Sequence, residues 1–285
     1  MSRLIINADD FGLTYGVNRA IIELHQAGVL TSTTLMARAR ATPEAIRASL
    51  ATPTLGVGAH VVLVDGEPVL PAAKIPTLID RKTGCFPASL TTFLRRLFTG
   101  RIRAAEIEAE AAAQIALLQK SGLRLTHVDT HKHTHMFPPV LKPLLRAAQK
   151  AGIRAVRNPF EPEWAVRATP RASLTRTAEV IALRRLGPFF RRWIARENVA
   201  TTDGTIAVAG TGRFNTDTVR ALLSELPEGT WELVTHPGYN DGDLEKIRTR
   251  LRASRDTERE ALTAVREFPS IDLINFADLR SVIQG

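Results

Sequence analysis

The stretch Arg3-Leu-Ile-Ile-Asn-Ala-Asp-Asp-Phe-Gly12 joins a short apolar run to two carboxylates, Asp9 and Asp10, and a glycine turn. An apolar run of this length predicts a buried strand that carries its charges at the C-terminal end. In parallel α/β folds, ligands and catalytic groups collect at that end of the strands. The pair alone is a weak signal, because Asp-Asp before Gly also fits the N-cap of a following helix.

Strand-like runs alternate with helical patterns along the rest of the chain. The runs lie near residues 3–8, 29–36, 55–64, 123–130, 153–157, 205–209, 230–236 and 271–275. This alternation predicts a parallel sheet. Charges at the strand ends favour a TIM-like (β/α) barrel of seven or eight parallel strands. We expect a single domain over residues 1–285, with a basic helical insertion at about 160–200.

Histidines mark the ends of several of these runs. Four of the seven histidines fall within nine residues, in Thr126-His-Val-Asp-Thr-His-Lys-His-Thr-His135, and His60 and His236 close two other runs. Imidazole is the commonest metal ligand in proteins and a frequent general acid or base. Strand ends share one rim in a parallel barrel, so we predict a metal or acid/base site there. A solvated histidine-rich loop is the alternative for the cluster.

Length and composition are those of an ordinary globular enzyme, with 285 residues, 44% hydrophobic and 24% charged. No run approaches the roughly 18–20 apolar residues of a membrane span. Met-Ser-Arg leads directly into the first predicted strand, so we expect no signal peptide. The single cysteine, Cys85, excludes an intramolecular disulfide and fits a reducing compartment. We therefore expect a cytoplasmic protein.

The net charge of +9 is concentrated in one segment. Between Arg167 and Arg196 stand eight arginines and one acid, Glu179, interleaved with bulky apolar residues. We favour an amphipathic helical insertion that packs on the barrel or on a second subunit of a homodimer. Contact with anionic membrane headgroups is the alternative, which would place the protein at the inner face of the membrane. No nucleic-acid partner is expected, because stacking platforms and nucleic-acid motifs are absent.

A set of short motifs carries a family resemblance. They are Asn7-Ala-Asp-Asp-Phe-Gly12, Gly28-Val-Leu-Thr-Ser-Thr33, Gly58-Ala-His60, Thr126–Pro138 and Val234-Thr-His-Pro237. In this order and spacing they resemble the YdjC-like carbohydrate deacetylases, which include chitooligosaccharide deacetylases and a branch associated with hopanoid biosynthesis. Residues 62–71 are closer to the hopanoid-associated branch. Ala59 stands where the family often carries a larger aliphatic residue, which is a change in packing.

The resemblance implies a metal-dependent hydrolase that removes the N-acetyl group from an N-acetylated amino sugar. The substrate would be an N-acetylglucosaminyl oligosaccharide or a lipid-linked glucosaminyl group. One divalent ion, magnesium or zinc, would be held by Asp10, His60 and His131. Asp9 would be the general base, and His236 would be the general acid that protonates the leaving amine.

Four further residues are candidates for substrate binding or for orienting the ligands. An extended chain over 127–131 places Asp129 on the same face as His131, where a carboxylate can orient a ligand histidine. Arg157 ends the 153–157 run and predicts a contact with Asp9 or with a sugar hydroxyl, although a structural ion pair explains it equally well. His133 and His135 lie beyond the strand, where they contact substrate or line the rim.

Two other functions stay open at this point. The first is another metal-dependent hydrolase on a carbohydrate, such as a phosphoesterase or a glycosidase-like enzyme. A two-metal phosphatase needs more carboxylates, and a glycosidase needs two that face each other across the scissile bond. The second is a non-enzymatic basic protein that binds membrane or nucleic acid.

Overall fold

The sequence folds around a parallel sheet, which a computed structural model describes over residues 2–170 and 172–279. The strands there are β1 (Ser2–Phe11), β2 (Ser32–Leu35), β3 (Gly56–Val61), β4 (Val128–Thr130), β5 (Gly204–Ile206), β6 (Gly229–Thr235) and β7 (Asp272–Leu273). They pair in the order β4-β3-β2-β1-β6-β5, and β7 pairs with the start of β1. Every pairing is parallel, which confirms the predicted α/β class.

The predicted closed barrel of seven or eight strands was wrong, because the ladder is open between β4 and β5. The 153–157 run, predicted as a strand, makes only two isolated bridges, Val128–Val156 and Ala155–Ala200. Just beyond it, the Asn158 side-chain amide donates to the carbonyl oxygens of Thr202 and Asp203. The Asn158 side chain thus makes hydrogen bonds that the backbone of a continuing strand would make. Because the strand ladder is interrupted here, the sheet is a half-barrel.

Helices connect the strands. They are α1 (Tyr15–Gln26), α2 (Thr42–Ala51), α3 (Leu90–Phe98), α4 (Ala104–Lys120), α5 (Pro138–Lys150), α6 (Glu163–Ala168), α7 (Leu174–Leu183), α8 (Gly187–Glu197), α9 (Thr216–Ser224) and α10 (Ser254–Ala261). Short 3-10 helices occupy Ala72–Lys74, His131–Met136, Arg184–Leu186, Leu244–Lys246 and Leu262–Glu267. Within the described ranges, no helix has the length and apolar character that crossing a membrane requires.

The N-cap of α1 is Thr14, whose hydroxyl accepts the backbone N–H of Val17. Asp9 and Asp10 therefore do not cap this helix, as the alternative interpretation of the pair would require. They lie in β1, which continues to Phe11. The carboxylates are left available for the site at the end of the strand.

Both faces of the central strands are buried. The large apolar core includes Leu4, Ile6 and Ala8 of β1, and a second small cluster contains Ile5 and Phe276. Beyond Ile5, the same face of β1 continues with polar residues, first Asn7 and then Asp9, which are also buried. A polar interior therefore follows an apolar one along the strand, towards the C-terminal edge of the sheet.

The basic segment forms helices α6, α7 and α8. Helix α8 buries Phe190 and Ile194, and α7 buries Val180. Arg171 lies outside the described residues.

A substitution at Gly58 of β3 tests how tightly the interior is packed. A Cβ at this position would lie 2.6 Å from both ring nitrogens of His127. That ring is stacked on Phe276 with 3.7 Å between centroids, so it has little room to move. We expect Gly58→Ala to destabilise the protein by about 1–3 kcal/mol, measured as a lower urea midpoint. Gly242→Ala is the control, since no atom lies within 4 Å of its Cβ position. Equal midpoints for the two variants would contradict this packing.

Candidate metal centre

The Asp9–Asp10 pair lies at an irregularity in β1. The register of β1 against β2 shifts between Ala8 and Phe11, and Asp10 adopts a left-handed backbone with φ 66°. Aspartate tolerates this conformation better than most residues. Adjacent side chains of a regular strand point to opposite faces. The shift lets both carboxylates reach the same pocket, in which each faces His60.

Three of the predicted metal ligands come together at this edge. Nε2 of His60 lies 3.6 Å from Oδ1 of Asp10 and 3.2 Å from Nδ1 of His131. Nδ1 of His131 lies 3.2 Å from the same aspartate oxygen. Ligand atoms about 2.0–2.2 Å from a zinc-type ion in tetrahedral geometry lie about 3.3–3.6 Å apart. The three atoms therefore have the spacing of a metal centre.

Asp10 gives independent support for a cation at this point. Its Oδ2 accepts a hydrogen bond from Nη2 of Arg255 at 2.6 Å. Its Oδ1 is buried and has no hydrogen-bond partner among the described residues. A buried carboxylate oxygen without a partner is costly, and a divalent cation would satisfy it. Burial would raise the pKa of Asp10, but Arg255 and His131 outweigh it and hold that pKa well below its usual range.

A second group, formed by Asp9, His60 and Asp129, also gathers potential ligand atoms. Arg157 already donates to both carboxylates of this group. A divalent cation there would have to compete with a buried guanidinium, so the group with Asp10 and His131 fits a metal better.

Asp129 orients His60. Its Oδ1 lies 2.8 Å from Nδ1 of His60, and the Thr34 hydroxyl lies 3.1 Å from the same nitrogen. A proton on Nδ1 that is donated to Asp129 leaves the lone pair of Nε2 directed towards Asp10 and His131. In the metal-free protein, burial lowers the pKa of His60, but Asp129 and the two aspartates of β1 outweigh it and raise that pKa to about 9. A metal at Nε2 would therefore replace a proton there.

Arg157 is fully buried and holds Asp9 through two hydrogen bonds. Its Nη2 donates to Oδ1 of Asp9 at 2.6 Å, and its Nη1 donates to Oδ2 at 2.9 Å. It also donates to Asp129, and its Nε donates to Oε1 of Glu232 at 2.7 Å. Burial would raise the pKa of Asp9, but Arg157 and His60 outweigh it and hold that pKa well below its usual range. Asp9 is therefore an ionised carboxylate.

His236 follows β6 and lies between two carboxylates. Its Nε2 is 3.9 Å from Oδ2 of Asp9, and its Nδ1 is 3.8 Å from Oε2 of Glu258. The same Glu258 oxygen accepts the backbone N–H of His236 at 2.6 Å. Burial lowers the pKa of His236, but Glu258 outweighs it and raises that pKa. At neutral pH a larger fraction of this imidazole is therefore protonated than of a free histidine.

The other histidines of the cluster lie apart from the three candidate ligands. His135 is buried, with Nδ1 2.8 Å from the Thr130 hydroxyl and Nε2 3.2 Å from the carbonyl oxygen of Arg157. His133 has a left-handed backbone and an Nδ1 without a hydrogen-bond partner in the described part of the chain. His127 is stacked on Phe276 in the interior.

Arg255 and Glu258 are site residues to which the sequence analysis assigned no role. Both are buried on α10, three residues apart, so they share a face of this helix. One signal was present, since the buried apolar residues Ala261 and Leu262 follow Glu258 at helical spacing, three and four residues on. Charged residues at helical spacing ordinarily predict a solvent-exposed face, and hydropathy alone could not identify this one.

Comparison with known proteins agrees with the motifs. A sequence model of the family described as YdjC-like protein matches residues 3–267. The chain belongs to the YdjC-like family. A family relative, the carbohydrate deacetylase of Thermoanaerobacter pseudethanolicus, is 29% identical over 263 residues, which are 92% of this chain and 91% of that protein. The carbohydrate deacetylase of Brevibacillus brevis is 39% identical over 158 residues, which are 55% of this chain and 60% of that protein.

The fold of this chain is similar to that of a solved structure. It is a putative cellobiose-phosphate cleavage protein from Enterococcus faecalis, 29% identical, with a TM-score of 0.71 and coverage of 98% of both chains. The family predicted from the motifs is thus confirmed by the sequence match over nearly the whole chain.

We expect substitution of the buried Arg157 to lower the free energy of unfolding strongly. Arg157→Gln leaves Asp9, Asp129 and Glu232 without their shared cation, so we expect a loss of about 3–5 kcal/mol in urea unfolding. Arg154→Gln is the matched control, because Arg154 is exposed on the same segment, and we expect a change below about 0.5 kcal/mol. Similar losses in both variants would show that the ion network does not stabilise the fold.

The contact between Glu258 and His236 predicts a pKa change. Glu258→Gln keeps an oxygen for the backbone N–H and removes the charge, so the pKa of His236 should fall in the metal-free protein. An NMR titration of the His236 ring protons measures it. Glu260→Gln, an exposed change on the same helix, should leave that pKa unchanged. An unchanged pKa in Glu258→Gln would contradict the electrostatic contact.

Proposed function

We propose that this protein is a metal-dependent hydrolase that removes the N-acetyl group from an N-acetylated amino sugar and releases acetate. The observation that carries the proposal is the Asp10–His60–His131 group with the ionised carboxylate of Asp9 beside it. Relatives in the same family are carbohydrate deacetylases. The substrate we propose is an N-acetylglucosaminyl oligosaccharide or a lipid-linked glucosaminyl group.

We assign the metal to Asp10, His60 and His131. When bound, a divalent cation supplies Lewis-acid polarisation of a carbonyl oxygen and makes a neighbouring water more acidic. Two imidazoles and one carboxylate suit zinc and also admit magnesium, and three protein ligands leave positions open. Asp129 holds His60 in the orientation that this assignment needs.

Asp9 is the group we assign as general base. Arg157 keeps its carboxylate ionised, as proton acceptance requires. The same contact lowers its basicity, so proton transfer to Asp9 is favourable only from a water that is more acidic than bulk water. Addition of that water to the acetyl carbon gives a tetrahedral species, which must then lose its amine.

His236 is the group we assign as general acid. Its Nε2 faces Asp9, so the proton donor and the proton acceptor lie on one side of the same small space. Glu258 favours the protonated imidazole, which can deliver a proton to the nitrogen as the carbon–nitrogen bond breaks. His133 is a candidate substrate contact because its Nδ1 is unpaired within the described residues. His135 uses both ring nitrogens inside the fold and has a structural role.

The glycosidase alternative fits this geometry less well. A glycosidase acid–base pair needs two carboxyl groups that stand apart across the scissile bond. Asp9 and Asp10 instead both face one histidine, and each is already held by an arginine. A cytoplasmic location and a homodimer stay predictions.

Acetate release is the direct test. The panel contains N-acetylglucosamine, chitooligosaccharides and a lipid-linked N-acetylglucosamine, assayed after metal removal and after addition of zinc or magnesium. We expect metal-dependent acetate release that falls by about 10²–10⁴-fold in Asp9→Asn. Asp217→Asn, an exposed change on α9, should retain full activity. No acetate from any compound, in protein shown to hold metal, would refute the proposal.

A further inference from the structure

Helix α7 is apolar in composition and almost unburied. Val180 is its one buried residue, whereas Leu174 is 87% exposed and Ile181 is 49% exposed. Leu174, Ala178 and Ile181 follow one another at four- and three-residue spacing, so they form one exposed stripe along the helix. An exposed apolar stripe of this kind is typical of a surface that contacts another protein or a membrane.

Arginines that form no ion pair with the described residues follow the stripe along the sequence. Arg185 follows α7, and Arg191 and Arg192 lie on the exposed side of α8. In the described part of the chain, none of these three arginines forms an ion pair, whereas Arg184 pairs with Glu163 at 3.1 Å. The segment therefore presents positive charge that the protein itself does not neutralise.

Helix α8 is fixed to the body of the protein by its opposite side. Phe190 is buried, with its ring 5.6 Å from that of Phe160. Trp193 of α8 packs against Lys142 of α5, whose Nζ lies 4.1 Å from the ring centroid. Since these contacts fix α8 on its inner side, its arginines on the other side are held towards solvent.

We propose that this surface docks on an anionic phospholipid bilayer. We call it the α7–α8 surface and define it by Leu174, Ala178, Ile181, Arg185, Arg191 and Arg192. Arginine donates to lipid phosphate groups while apolar side chains enter the boundary of the acyl chains, and this combination is typical of interfacial helices.

Two other partners fit the α7–α8 surface less well. A nucleic acid would use the arginines and leave Leu174 and Ile181 in water. A second copy of the chain, paired about a two-fold axis, would place one patch of arginines against the same patch of its partner. Glu179 is the only acid between 174 and 192, and it lies 3.2 Å from Arg176. Like charges would therefore oppose that dimer, whereas lipid phosphates would neutralise them.

Sedimentation with vesicles tests the proposal without any activity measurement, so its outcome is separate from that of the deacetylase assay. Full-length protein is mixed at low salt with vesicles of phosphatidylcholine alone or of equal parts phosphatidylcholine and phosphatidylglycerol. We expect sedimentation only with the anionic vesicles. Arg185→Gln/Arg191→Gln/Arg192→Gln should weaken binding about 100-fold, since each arginine contributes about a fivefold factor.

Matched control variants distinguish binding through the α7–α8 surface from nonspecific attraction by the positive charge of the whole protein. Arg47→Gln/Arg248→Gln/Arg250→Gln removes three exposed arginines elsewhere, and Leu50→Ser/Phe98→Ser removes two exposed apolar side chains elsewhere. Both should bind as wild type does, whereas Leu174→Ser/Ile181→Ser should bind more weakly. Circular dichroism confirms that each variant is folded.

The proposal has clear contrary outcomes. Wild-type protein that stays in the supernatant with anionic vesicles would overturn it, and so would equal losses in the test and control variants. A wild-type dimer in light scattering that Leu174→Ser/Ile181→Ser converts to a monomer would also overturn it, because the stripe would then belong to a second copy.

Discussion

The buried guanidinium of Arg157 is the interaction on which the rest of the site depends. It contacts Asp9 of β1, Asp129 of β4 and Glu232 of β6, and all four side chains are buried. Desolvated carboxylates that lie close together repel and take up protons unless a cation is shared among them. Burial still raises the pKa of Glu232 to about 7 despite Arg157, which shows how costly the third negative charge is.

The orientation of His60, a proposed metal ligand, follows from this one contact. Arg157 holds Asp129 ionised, and Asp129 fixes the ring of His60 so that Nε2 faces Asp10 and His131. The same guanidinium holds Asp9 next to that ring. The proposed base and a proposed ligand are therefore aligned by a common residue, and the geometry of one cannot change without disturbing the other.

The ends of the strands and the carboxylates and histidines that lie there could be predicted from the sequence. Apolar runs, and the polar residues that follow them, are local signals. The contribution of Arg255 and Glu258 could not be predicted, since their burial depends on where α10 packs, and charged residues at helical spacing ordinarily indicate an exposed face. The shift in β1 that turns Asp10 towards Asp9's pocket is likewise a product of tertiary packing. Closure of the barrel was overestimated because the 153–157 run, which was predicted as a strand, makes only isolated bridges and has no continuous strand partner.

The gap in the strand ladder and the polar interior involve the same segment of the chain, Arg157 and Asn158. The backbone N–H of Arg157 donates to the carbonyl of Val128, and the Asn158 side chain then satisfies the next segment in place of a strand. Across this gap the sheet is joined by side chains as well as by backbone, and Arg157 reaches from its edge to β1 and β6. Ion pairs and amide contacts depend on exact geometry far more than apolar packing does. In this half-barrel the side-chain contacts hold fixed positions for the carboxylates and imidazoles that the proposed chemistry requires.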